Sequence, residues 1–579
     1  MEYPFVKGGI IRYCRLITMQ EQIRSAILES LKTLGIEEVA FAAEHPTDKS
    51  TDADYFSNVA MVVSKQVGQA PRQIALQIAT ALADTISQVE RIEVAGPGFL
   101  NFYLSRNFFQ EKIAAVRTAG SQWGKNDSCA GKKVIVEYTD PNPFKEFHIG
   151  HLFTNAVGES MARLFMMNGA DTKRVNYQGD VGLHVAHAVW GMQQSGITAD
   201  SNFSARDLGK AYALGATAYK NDEAAALVIR DINKKVYERS DAAVTALYDA
   251  GRKVSLDYFE TIYALADTQF DEYFFESEAG PLGKELVLSN PDAFPESDGA
   301  HIYVGEEVGL HTRVFLNKEG LPTYEAKELA LAKLKEDRLG AYDHSVISTG
   351  KEINEYFKVL LSAMGRVYPE LAEKTEHLGH GMVRLTTGKM SSRTGDVISA
   401  LDFINEVAAS AAEKMNASVG KEDEVLAKDI AIAAIKYATL RGSILQDSTF
   451  DKERALSFEG DSGPYLQYTH ARICSVLEKA ALAGVIPSTQ LAPVTPYAVE
   501  KIIYQFPEVI ATALLERAPH KVAGYLTELA SAFNSFYAVE KIADATDEFA
   551  PYKAALAEAV RTTLENGLWV LAIKAPDRM

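Results

Sequence analysis

The chain has 579 residues, 47% hydrophobic and 23% charged, with a formal net charge of −18. That length calls for roughly three or four domains, and the acidic balance excludes a general polyanion coat while leaving room for a locally basic face. No apolar run approaches the roughly 20 residues of a bilayer-spanning helix, and Cys14, Cys129 and Cys474 form neither a disulfide framework nor a CxxC zinc pair, which suits a reducing cytoplasm. The first helical pattern begins at Met19, with Ile23, Ile27, Leu28, Leu31 and Leu34 at helical spacing. Residues 1–18 precede it without the apolar stretch of a secretory signal. A second helix is marked by Ile74, Ile78, Leu82 and Ile86, and Arg91–Ala95, Gly96–Gly98 and Phe99–Tyr103 read as strand, turn and strand. Residues 19–125 are thus expected to form a small α+β domain.

From 126 to 400 strands and helices alternate, which predicts a Rossmann-type doubly wound parallel sheet. Val134–Tyr138 is its first strand, a Pro-bracketed loop follows, and a helix runs from about Gly150 to Met167. His148-Ile149-Gly150-His151 opens that helix. A lone histidine on a helix is usually structural; these two face one ligand beside the helix's positive end, at the edge where such sheets bind phosphates. Gly150 leaves the backbone open to close approach. Lys173–Gln178 is the next parallel strand and ends in Gln178-Gly179-Asp180-Val181-Gly182. His184 and His187 follow at helical spacing, but no third ligand accompanies them, so no metal centre is assigned. Charged helical sequence from about 190 to 300 reads as an insertion. Lys389-Met390-Ser391-Ser392-Arg393 lies in a Gly-bounded loop, and residues 401–579 read as an all-helical domain.

His148–His151 followed by Lys389–Arg393 resembles the paired nucleotide-binding motifs of class I aminoacyl-tRNA synthetases. The surrounding residues narrow the likeness to the arginyl-tRNA synthetase family, from about residue 20 to the C-terminus. The resemblance implies ATP, with Mg²⁺, and implies that His148 and His151 hydrogen-bond its phosphates without acting as bases. Most class I enzymes carry a second lysine where Ser392 stands. Arginyl members commonly place one three residues before the first histidine instead, and Lys145 stands there. Lys145 and Lys389 are the expected catalytic cations, with Gly150, Met390, Ser391, Ser392 and Arg393 contacting ATP. Homologous chains start near Met19, so residues 1–18 read as an extension. The family's turn Gly-Asp-x-Gly is matched at Asp180, expected to order the site.

A guanidinium is planar, permanently charged and rich in donors, so its recognition needs buried carboxylates. Tyr324 and Glu328, four apart on one helical face, occupy a motif the family writes as Tyr, three residues, Asp; Glu328 is one methylene longer. By the same resemblance Glu137, Asn142 and His151 bind the amino acid's polar ends, and Glu276 adds negative charge. Where the family usually has Gln, the segment Gly350–Phe357 offers Ile353, which cannot hydrogen-bond; Glu352 and Asn354 are the neighbouring alternatives. The N-terminal domain is expected at the tRNA elbow. Gly463–Arg472 is the longest local match, with Tyr465 and Arg472 as RNA-binding candidates, and Tyr537 and Met579 match tRNA-contacting positions. L-arginine and tRNA(Arg) are the expected partners, with no membrane association and a monomeric state. The family commonly requires tRNA for activation. A class I synthetase of another specificity and a non-catalytic RNA-binding paralogue remain as alternatives.

Overall fold

The computed structural model describes residues 18–46, 51–386, 398–419 and 423–579. Thr18 starts the first helix, Met19–Lys32, by accepting the Glu21 N–H on its hydroxyl at 3.1 Å. Ile23, Ile27 and Leu31 line its buried face and pack with Ile74 and Ile78 of the helix Pro71–Leu82. The two helices cover an antiparallel sheet in which Val89–Ala95 pairs with Phe99–Leu104, and that strand in turn with Tyr55–Ser57. The turn between the long strands needs glycine at its last position. Gly98 has φ +135°, and a Cβ there would lie 2.9 Å from the backbone of Pro71.

The central sheet is parallel among the described residues and consists of β1 (Lys133–Tyr138), β2 (Asp171–Gln178), β3 (Glu272–Phe275), β4 (His344–Gly350) and β5 (Thr375–His380), in spatial order β5-β4-β1-β2-β3. The order reverses between β1 and β4, so the carboxyl end of β1 sits at the switch point where doubly wound sheets bind ligands. From that point α1 (Ile149–Met167) runs back across the sheet. It presses so close that a Cβ on Gly158 would fall 2.2 Å from the Tyr138 side chain. Between β2 and β3 stand the helices Leu183–Gln194, Ala205–Asn221, Glu223–Glu238 and Ala242–Leu265. The helical insertion therefore ends before the expected residue 300. Glu272–Phe275 returns to the sheet as its edge strand, too short for a four-residue apolar pattern to announce.

After β5, Val383–Leu385 pairs with Ser448–Phe450, a strand inside the otherwise helical C-terminal region. The long helices there are Ala400–Val419, Glu424–Leu440, Gly463–Leu482, Pro519–Val539 and Ala550–Val570. Their apolar faces and the outer face of α1 share one continuous core, including Leu164, Phe165, Ile435, Leu526 and Leu564. Arg163, buried in α1, donates to the Trp569 carbonyl at 2.9 Å and the Asp267 carbonyl at 2.6 Å while paired with Glu159 at 2.7 Å. Lys436 donates to the carbonyls of Ala266 and Ala572. No helix among the described residues is long and apolar enough to cross a membrane.

Candidate active site

At the start of α1, His148 and His151 cap one another. The Nδ1 of His148 accepts the His151 N–H at 3.3 Å, and the Nδ1 of His151 accepts the His148 N–H at 3.2 Å. Their rings stack with centroids 3.6 Å apart and 18° between planes. Because both Nδ1 atoms accept, both rings carry their proton on Nε2 and present it as a donor. Burial, then the charge of Lys145, pushes His148 down to about 4; burial, then His148, holds His151 well below the ordinary imidazole range. The pair is thus uncharged at neutral pH and suited to donate hydrogen bonds. Gly150 serves this pair directly, since a Cβ there would lie 2.9 Å from the His148 ring.

The loop from β1 to α1 holds three non-glycine residues with left-handed backbone, Thr139 (φ 85°), Asp140 (46°) and Phe144 (68°). Such strain persists only where the surroundings over-determine it. Here Asp140 accepts the Tyr177 N–H at 2.9 Å, and Phe144, fully buried, donates its N–H to Ser255 at 2.9 Å and stacks on Tyr248. The insertion thereby fixes the residue before Lys145, whose ammonium lies 4.8 Å over the Tyr212 ring and is lowered by burial against the opposing pull of Glu276. Asp180, fully buried, accepts from Arg252 at 2.8 Å and from both the N–H and hydroxyl of Ser277 at 2.8 Å. It thus ties β2 to the helix Glu276–Ser289 and fixes where Glu276 stands. Gly179 keeps the space clear, for a Cβ there would meet Asn142 Oδ1 at 2.2 Å and Glu276 Oε1 at 3.2 Å. His184 is held by the Gly179 carbonyl at 2.7 Å, and neither nitrogen of His187 has a hydrogen-bond partner among the described residues.

Below the histidines lies an acidic pocket. The helix Tyr324–Leu339 turns one stripe towards it: Tyr324, Lys327, Glu328, Leu331 and Lys335. It approaches the helix Glu276–Ser289 closely at Gly283, where a Cβ would lie 2.3 Å from the Ala326 carbonyl, and this brings Lys327 onto Glu276. Lys335 pairs with Glu137 at 2.6 Å, both buried. Glu328 has no ion pair or hydrogen bond among the described residues, and burial, then the nearby Glu137, raises it well above the ordinary carboxyl range. Asp140 is raised by the same two causes. Four carboxyls thus share the pocket with two lysines. Sequence reasoning named Glu137, Glu276, Glu328 and Tyr324 but missed Lys327 and Lys335, which share the helical stripe of Tyr324 and Glu328. It also missed Asp140, and Tyr177 and Tyr356, whose buried hydroxyls have no hydrogen-bond partner among the described residues and lie near Glu328.

Tyr324 is 52% exposed at the rim. Ile353 is 37% exposed in the turn after β4. Its neighbours are engaged elsewhere: Glu352 folds back over Gly350, and Asn354 lies against Gly379 of β5. Lys389, Met390, Ser391, Ser392 and Arg393 lie outside the described residues. The next described residues do reach the site, for Ile149 donates to the Ile398 carbonyl at 3.4 Å and Ala400 to the Phe147 carbonyl at 2.7 Å. In the helical region Arg472 lies 4.6 Å over the Tyr468 ring and donates to Asn534 at 2.6 Å, and Asn534 donates to Tyr465 at 3.0 Å. Tyr537, one turn beyond Asn534, stacks on Phe533 and is half-buried against the helical core, as is Met579.

Three family models match consecutive stretches of the chain. An arginyl tRNA synthetase N terminal domain matches residues 19–104, the catalytic domain of class I tRNA synthetases (R) residues 112–452, and a DALR anticodon binding domain residues 466–579. The arginine–tRNA ligase of Clostridioides difficile is 30% identical over 574 residues, covering 96% of this chain and 99% of that one. That of Levilactobacillus brevis is 29% identical over 564 residues, covering 94% and 96%. Among solved structures, Thermus thermophilus arginyl-tRNA synthetase superposes with a TM-score of 0.75 at 24% identity, covering 97% of this chain and all of that one. The Plasmodium falciparum enzyme gives 0.76 at 19%.

Proposed function

The chain belongs to the arginyl-tRNA synthetase family, and from that premise we propose how its residues divide the reaction. It activates L-arginine with ATP to arginyl-adenylate, releasing pyrophosphate, and transfers the arginyl group to the 3′-terminal adenosine of tRNA(Arg), releasing AMP. The arginine carboxylate attacks the α-phosphorus as the bond to pyrophosphate breaks, so the barrier lies in gathering negative charge. We assign the Nε2–H groups of His148 and His151 to phosphate oxygens, Lys145 and Lys389 to phosphate charge, and Gly150, Met390, Ser391, Ser392 and Arg393 to ATP. The phosphate side offers imidazoles and amines, which suit an anion; Mg²⁺, a hard cation that prefers oxygen ligands, is proposed to arrive held by the phosphates of ATP.

The guanidinium end is assigned to Glu328 with Tyr324, and the amino acid's polar ends to Asn142, Glu137, Glu276 and His151. What carries the arginine reading is Glu328, an unpartnered carboxyl in a pocket with more carboxyls than lysines. A bound guanidinium supplies the missing charge and donors. We assign Tyr465, Arg472, Tyr537 and Met579 to tRNA, divide the chain at 19–125, 126–400 and 401–579, and place it in the cytoplasm as a monomer. ATP–pyrophosphate exchange with each of the twenty amino acids, with and without tRNA, tests the reading. Exchange with arginine alone, dependent on tRNA, is expected; exchange with another amino acid refutes the pocket assignment, and none at all with tRNA still bound favours the non-catalytic alternative.

A further inference from the structure

The last residues of the chain run along the helix Gly463–Leu482 and are fastened to it step by step. Gln467 donates to the Lys574 carbonyl at 2.9 Å, a ring nitrogen of His470 contacts the Pro576 carbonyl at 3.0 Å, and Arg578 pairs with Glu478 at 3.2 Å. Among these fastenings one cluster differs in kind. His470 and Cys474 stand four apart on one helical face, both buried, and exposed Asp577 closes over them from the tail. The Cys474 Sγ is 3.5 Å from Asp577 Oδ1 and 3.9 Å from His470 Nδ1, and one ligand atom from each residue falls within 4.8 Å of the others. A tetrahedral zinc ion with bonds of about 2.0–2.3 Å has ligand-to-ligand edges of roughly 3.3–3.6 Å. The cysteine already stands near those edges from both partners, and the remaining closure falls to the exposed Asp577.

The partners of the two buried groups point the same way. His470 Nδ1 faces a carbonyl, so it carries the ring proton, and the buried Nε2 has no hydrogen-bond partner among the described residues. The Cys474 thiol proton points at a carboxylate. Three atoms of the types that bind zinc together, a thiol sulfur, an imidazole nitrogen and a carboxylate oxygen, thus converge, with the dissociable thiol proton between two of them. We propose that His470, Cys474 and Asp577 form a zinc site that fastens the C-terminal tail to this helix, with water as the fourth ligand on the exposed side of Asp577. On binding, Cys474 Sγ loses its proton to solvent, and the His470 ring proton passes from Nδ1 to Nε2, so that Nδ1 gives up its hydrogen bond to the Pro576 carbonyl and takes the ion instead. The site lies in the helical region, away from the His148–His151 pair, and holds the segment that ends in Met579.

Cobalt titration of the full chain, followed by absorption, tests this independently of catalysis. Co²⁺ is expected to bind at one ion per chain with a thiolate charge-transfer band, to be displaced by Zn²⁺, and to lose that band in Cys474→Ser. Asp577→Asn, at an exposed position that leaves the packing intact, is expected to weaken Co²⁺ binding at least about tenfold, since even removing a metal ligand's outer partner costs roughly 10–100-fold. No thiolate band, or a band that survives Cys474→Ser, overturns the proposal. If Cys474→Ser does not fold, Asp577→Asn decides, and unchanged Co²⁺ affinity there also overturns it.

Discussion

At the scale of single residues, the acidic pocket rests on Glu328. Its carboxyl is raised by burial and by Glu137, which favours the protonated form until a guanidinium takes the proton's place. Arginine binding is therefore expected to release a proton and to tighten as pH rises through the Glu328 titration, then level off. Calorimetry in buffers of different ionisation heat reads the proton directly. Glu328→Gln is expected to abolish this pH dependence and raise the KM for arginine at least about 30-fold, since losing one partner of a buried charged pair costs about 2 kcal/mol or more. An unchanged KM rules Glu328 out of the guanidinium contact. Glu137, Glu276 and Glu328 were singled out in the sequence by the family resemblance, whereas Asp140 was not. Lys327 and Lys335 were not, because a lysine is ordinarily a solvated surface residue and only the packing at Gly283 turns Lys327 inward.

At the scale of elements, the strand, the Pro-bracketed loop and the helix from β1 to α1 follow from apolar runs and turn chemistry, and β1 and α1 fall within a residue or so of their expected bounds. What the pattern did not contain is the mutual capping of His148 and His151, which depends on ring rotamers and on the missing Cβ at Gly150. Gly150→Ala is expected to displace the His148 ring and unstack the pair. Losing one positioned donor typically lowers turnover by roughly 10²-fold or more, so pyrophosphate exchange is expected to fall by about that factor with the circular dichroism unchanged. Full activity in the alanine variant excludes the stacked pair as the working arrangement. The short edge strand β3 and the strand Ser448–Phe450 escaped the sequence for a plainer reason: three or four residues carry too little periodicity to stand out from a loop.

At the scale of the whole molecule, the N-terminal domain docks on the helical region through Lys501 on Asp54 at 3.2 Å, Arg106 on Glu500 at 2.6 Å, and Tyr504, which enters the N-terminal core. Such contacts join residues hundreds of positions apart, and no local pattern announces them. Between the two bodies Glu508 stands near Glu21, Tyr55 and Tyr504, and burial, then Glu21, raises it from 4.5 to about 7. The folded chain therefore keeps a proton that the unfolded chain gives up, so the contribution of Glu508 to stability is full below about pH 4.5 and is lost as pH rises through about 7. Glu508→Gln is expected to melt at a higher temperature than the parent at pH 8, with the gap closing towards pH 5. A gap independent of pH removes Glu508 from the interface's proton balance.

The buried Arg163 ties the far end of α1 to the helical region. That helix begins at the stacked histidines and, about 22 Å along its axis, is bonded through Arg163 to the Trp569 carbonyl of the helical region. On the proposed assignments this helix connects the phosphate-binding end to the helical region, and any coupling between the two ligands is reciprocal. Whatever factor tRNA adds to adenylate affinity, a bound adenylate analogue must add to tRNA affinity. A titration of either ligand in the presence of the other therefore measures the same coupling from opposite ends of one rod.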